Sequence, residues 1–123
     1  MGVDREMFDP LLNQLVELPV PQAKMTDDFM LNGEITFSDR FGNLATNINM
    51  ELLELVQKLS GKNRPYIAVQ KLRIKGITTH YAEGKGPLAL VNSWGFLEIY
   101  LPMESAREKL GINVGDSVWV SFA

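Results

Sequence analysis

The sequence predicts a mainly β fold: an antiparallel β-barrel carrying one main α-helix at about residues 50–60 and a short N-terminal helix. From Leu31 onward, short runs rich in Ile, Val, Leu and aromatics follow one another at close spacing, the mark of an antiparallel barrel or sandwich. Gly, Asn, Asp and Pro clusters separate these runs, as tight turns require. A single stretch departs from the pattern, with helical spacing and caps at both ends. A barrel is favoured over a sandwich because closure removes exposed strand edges.

Residues 1–30 read as an appendage. Asp9-Pro10 is an N-cap followed by proline at the first helical position, and Phe8, Leu11, Leu12, Leu15 and Val16 then fall on one face. Pro19 and Pro21 end this helix. It is marginal alone, so its apolar face needs a partner, either the barrel or another domain. Thr26-Asp27-Asp28 is a polar connector into the barrel of residues 31–123.

Leu31–Ser38 alternates, Asp39–Asn43 turns, and Leu44–Ile48 is the next strand. The helix follows, with Asn49 as N-cap, Leu52, Leu53, Val56 and Leu59 as its stripe, and Gly61 past its end. Tyr66–Val69, Lys71–Thr79, Leu88–Val91 and Phe96–Leu101 are strand candidates, the second and third separated by the turn Gly84-Lys-Gly-Pro87. Ser105–Leu110 suits a single helical turn, and Ser117–Phe122 is the last strand. Trp119, between Val118 and Val120, is expected in the core.

The length of 123 residues fits one domain, and the balance of 46% hydrophobic to 22% charged residues is that of a globular protein. A net charge of −3 gives no electrostatic footprint for nucleic acid or an anionic membrane. No apolar stretch is long enough to span a bilayer. The absence of cysteine excludes disulfides, thiolate metal sites and a Cys nucleophile, and suits a reducing cytoplasm.

The chain carries little chemistry of its own. His80 is the only histidine, so a His metal site or a Ser–His–Asp relay lacks most of its parts. Acidic residues outside the helices show no paired spacing, and Gly84-Lys-Gly-Pro lacks the frame of a phosphate loop. Lys71, Arg73 and Lys75 alternate with Leu72 and Ile74, the solvated face of a half-buried strand. Neither a catalytic residue nor a metal ligand is expected.

The distinctive segment is Asp39-Arg-Phe-Gly-Asn-Leu-Ala-Thr-Asn47, paired downstream with Asn92-Ser93-Trp94-Gly95. Phe41 beside Gly42 and Asn43 offers a flat apolar face next to an amide that donates and accepts, which suits a planar heterocycle. The same residues are also ordinary turn chemistry. Trp94, in a polar turn before Gly95, suits a lid or an interface anchor.

Several segments in order resemble one family: Leu15-Val-Glu-Leu-Pro-Val-Pro21, Gly33 to Ile48, Thr79-His-Tyr-Ala82, Leu88 to Ile99, Ser105-Ala106, and Leu110 to Val118 with its Gly-x-x-x-Gly-Asp-x-Val close. Together they are similar to the C-terminal domain of the SAM hydroxide adenosyltransferases, relatives of the fluorinase and chlorinase. The resemblance implies hydrolysis of S-adenosylmethionine, as substrate rather than cofactor, to adenosine and methionine by hydroxide attack on the ribose 5′ carbon. It implies no other cofactor. It further implies an α/β N-terminal domain that activates water, a homotrimer, and a site between that domain of one subunit and the barrel of the next. Residues 1–30 would then be an interdomain-type linker, with the N-terminal domain absent from this chain.

Carried over by position, Asn43 would bind the adenine edge and Phe41 would pack on the adenosyl group. Asp39 would pair with the methionine ammonium, and Ser93, in the turn of Asn92 and Trp94, would bind the amino-acid end. Tyr81 would wall the pocket, and the backbone near Leu101–Met103 would face the purine. Two positions depart from the fluorinase pattern. Trp94 stands where those members have an arginine suited to a carboxylate, and Ala45 replaces a bulky residue. Both favour the hydrolase branch. The alternative is a stand-alone, non-catalytic binding or interaction module.

Overall fold

A computed structural model describes residues 22–78 and 86–123. Eight strands and two helices follow in order: β1 (Lys24–Met25), β2 (Leu31–Ser38), β3 (Leu44–Asn49), α1 (Met50–Ser60), β4 (Pro65–Val69), β5 (Leu72–Lys75), β6 (Leu88–Val91), β7 (Phe96–Tyr100), α2 (Ala106–Leu110) and β8 (Ser117–Phe122). The sheet runs β5-β4-β8-β2-β3-β7-β6, with β1 added beside β2, and every strand pair is antiparallel. It curls into a nearly closed barrel. Beyond β5, Thr78 reaches β6 by a bridge to Leu90, and its N–H donates to the Ala89 carbonyl at 2.8 Å. The expected mainly β barrel with one main helix is therefore what forms; the expected N-terminal helix lies outside the described residues.

Alternation along each strand fills the interior. Leu31 and Ile35 of β2, Leu44 and Ile48 of β3, Ile67 and Val69 of β4, Leu97 and Ile99 of β7, and Val118 and Val120 of β8 are all buried. Asn49 caps α1 by accepting from the Leu52 N–H at 2.8 Å, and Gly61 ends it in the left-handed region at φ 73°. The helix lays Leu53 and Val56 on the core.

Three expectations need correction. Trp119 is 38% exposed, because the period of two that buries Val118 and Val120 turns it outward. Leu59, in the last turn of α1, is 48% exposed rather than part of the buried stripe. β5 is shorter than expected, ending at Lys75, since Gly76 turns at φ 84°. The expected solvated face holds, with Arg73 and Lys75 exposed around buried Ile74.

Candidate functional site

The Asp39–Asn43 loop is built around one carboxylate. Asp39 Oδ1 accepts from the Phe41 N–H at 2.8 Å and the Asn43 N–H at 3.0 Å, while Oδ2 accepts from Asn43 Nδ2 at 3.2 Å. Gly42 adopts φ 85°, and a β-carbon there would collide with Ser105, the N-cap of α2. The Arg107 N–H donates to the Gly42 carbonyl at 3.0 Å, so this loop and α2 are locked together.

The second turn is built around one amide. Asn92 Oδ1 accepts from the Trp94 N–H at 2.9 Å and the Phe96 N–H at 3.1 Å, and Nδ2 donates to Glu98 Oε1 at 2.9 Å. The Met50 N–H donates to the Gly95 carbonyl at 2.9 Å, tying the turn to the start of α1.

Between the two loops runs a groove of about 830 Å³ on the outer face of β2, β3 and β7. Its wall follows the outward residues of β3, namely Ala45, Asn47 and Asn49, with Phe37 opposite Ala45 on one side. On the other side Glu98 stands opposite Ala45, and Phe96 opposite Asn49. Asp39 and Asn43 line one part; Asn92, Ser93 and Trp94 line another. The rim is apolar and open, with Trp94 83% and Phe37 61% exposed.

Five sequence-predicted residues therefore share this groove: Asp39, Asn43, Asn92, Ser93 and Trp94. Phe41 and Met103 are exposed and are not among its lining residues. Phe41 instead carries the Arg40 guanidinium carbon 5.2 Å from its ring centre. Tyr81 lies outside the described residues, as does His80. Sequence reasoning missed Phe37, Asn47, Phe96 and Glu98. For Asn47, Phe96 and Glu98 the alternation of β3 and β7 was the available signal, whereas Phe37 shares the parity of buried Leu31 and Ile35 and reaches the outer face only through the β-bulge between Ile35 and Phe37. Glu98 is 7% exposed and hydrogen-bonded to Asn92, an unusual burial for a carboxylate on an outer face.

Residues 33–119 match the family model described as the SAM hydroxide adenosyltransferase C-terminal domain. The chain belongs to this family. It is also 29% identical over 87 residues to the (R)-S-adenosyl-L-methionine hydrolase of Methanocaldococcus jannaschii, covering 68% of this chain and 33% of that protein. The chain thus spans about a third of that relative's length. Among solved structures, an uncharacterized conserved protein from Thermotoga maritima matches with a TM-score of 0.63 and 25% identity, over 85% of this chain and 39% of the other. A conserved hypothetical protein from Thermus thermophilus matches with a TM-score of 0.60 and 26% identity, over 85% and 37%.

Within this family domain, no helix among the described residues is long and apolar enough to cross a membrane. No group of three His, Cys, Asp or Glu residues among them is placed to hold a metal ion.

Proposed function

We propose that this chain is the substrate-binding domain of an S-adenosylmethionine hydrolase, acting with an α/β N-terminal domain that supplies water activation. The observation that carries this reading is the meeting of the Asp39–Asn43 loop and the Asn92–Trp94 turn on one groove within a domain of this family. Asn43 commits its Nδ2 to Asp39, which leaves its Oδ1 to accept from an amino group such as that of adenine. Phe37, Phe96 and Trp94 supply flat apolar surface for the purine and the methionine chain. Ser93 offers a hydroxyl to the amino-acid end.

In the reaction the water oxygen forms a bond to C5′ while the C5′–S bond breaks, and the electron pair returns the sulfonium to a neutral thioether. The attacking water also gives up a proton, which needs a base within hydrogen-bond reach. In this reading that base belongs to the N-terminal domain, and a homotrimer in the cytoplasm places one subunit's barrel against the next subunit's N-terminal domain.

Adenosine release from S-adenosylmethionine tests the assignment. The purified chain is expected to show none above background, and the chain joined to an α/β domain of the family to show turnover. Turnover by the chain alone would move the water-activating group into the barrel. A folded two-domain assembly that neither binds nor hydrolyses the substrate would leave the non-catalytic module as the better account.

A further inference from the structure

Asn47 stands in the wall of the groove with only one end of its amide in use. Its Oδ1 accepts from the Glu34 backbone N–H at 2.9 Å. That backbone donor fixes which way the amide points, so the other end is Nδ2. Nδ2 is buried and donates to nothing among the described residues. A buried donor left unpaired costs stability, and native chains rarely keep one without a reason.

Gly33 makes the arrangement fit. It does not occupy the left-handed region, so its backbone does not call for glycine. A β-carbon there, however, would collide with Asn47 Oδ1 and crowd the Ile48 side chain. The missing side chain leaves room for the Asn47 amide.

Charge along the groove is uneven. Among the described residues its two lining carboxylates are Asp39, bonded to Asn43, and Glu98, opposite Ala45. Asn47 lies two residues beyond Ala45, toward Asn49, Phe96 and the first turn of α1. Glu51 of that turn is not among the lining residues. An anionic oxygen is thus disfavoured beside Asp39 and Glu98, and meets a donor at Asn47. Trp94 has only an indole N–H to offer it.

We propose that Asn47 is a ligand-binding residue that donates through Nδ2 to a carboxylate oxygen, with Gly33 as the residue that positions it. This rests on the reading of the groove as the S-adenosylmethionine site, and it assigns the substrate's carboxylate to the Asn47 end. Nδ2 is closed to solvent, so the contact needs a side-chain adjustment of the kind common on binding.

The test is an NMR titration of the chain joined to an α/β domain of the family, with S-adenosylmethionine and, separately, adenosine. S-adenosylmethionine should move the Asn47 side-chain amide resonance together with the backbone resonances of Ala45 and Phe96. Adenosine should move backbone resonances but leave the Asn47 amide in place. Asn47→Asp keeps an oxygen for the Glu34 N–H and replaces the donor by a negative acceptor. It should weaken S-adenosylmethionine by about tenfold or more and adenosine by less than about twofold. Equal weakening of both ligands, or of neither, overturns the proposal while leaving the groove as the substrate site. No response of any groove resonance in that folded assembly to either ligand overturns the substrate reading and this inference together. If Asn47→Asp fails to fold, the wild-type amide resonance decides: unmoved by S-adenosylmethionine while Ala45 shifts, it rules Asn47 out.

Discussion

Removing the Asp39 carboxylate is expected to cost the domain stability as well as ligand binding. Three donors converge on it, two backbone N–H groups and the Asn43 amide, at 2.8, 3.0 and 3.2 Å. Hydrogen bonds to a charged group contribute about 1.5–3 kcal/mol each when buried, but Asp39 is half-exposed and water replaces part of each loss. A net cost of about 2 kcal/mol for Asp39→Ala follows, lowering the melting temperature by roughly 8 °C. Asp39→Asn keeps one oxygen for both backbone donors and loses chiefly the Asn43 contact, so it should cost about half as much. Urea unfolding of both variants measures the difference. Equal losses from the two, or losses below about 0.5 kcal/mol from both, would refute the view that the carboxylate organises the loop. There is a functional corollary. Because Asp39 holds the Asn43 amide, Asp39→Ala and Asp39→Asn should both weaken adenosine as well as S-adenosylmethionine.

Gly42 and Gly95 form a matched pair, at φ 85° and φ 88°. Alanine at Gly95 meets open space and should cost only the left-handed penalty, about 1–2 kcal/mol. Alanine at Gly42 also runs into Ser105 and should cost at least about 1 kcal/mol more; equal melting temperatures would count against the loop–α2 lock. Asn92→Ala removes three hydrogen bonds that shape the second turn. It should lose about 2 kcal/mol in denaturant titration, and a neutral result would show that the turn holds itself. Trp94→Ala should change stability by less than about 0.5 kcal/mol, given its exposure, while weakening association with an α/β domain of the family in a binding assay.

The barrel was legible in the sequence because its signal is local. Alternation in Leu31–Ser38 and Leu44–Ile48, and caps at Asn49 and Gly61, are written within a few residues of where they act. Trp119 was misplaced by composition: a large aromatic between two valines reads as core until the period of two is applied, and then it must face the other way. The two loops were legible as motifs, but their meeting was not. Asp39 and Ser93 are separated by most of the barrel in sequence and share a groove only because β3 pairs with β7, setting Ala45 opposite Glu98 and Asn49 opposite Phe96.

The same register explains which residues were missed. Once β3 and β7 are paired, the outward side chains between Asn43 and Asn49 fall on the groove wall, so Ala45 and Asn47 stand beside the conspicuous Asn43, and Thr46 lines the groove as well. Read along the chain, Thr46 and Asn47 close the distinctive segment, with nothing to show which of them builds the sheet. Read across the sheet, Thr46 is buried and spends its hydroxyl on the Leu97 carbonyl at 2.8 Å, fastening β3 to β7. Asn47, one residue on, points to the other face, with its oxygen held by β2 and its nitrogen uncommitted. Both touch the groove, but one spends its hydroxyl on the sheet and the other keeps a donor unspent. Only the pairing of strands, not the type of residue, tells them apart.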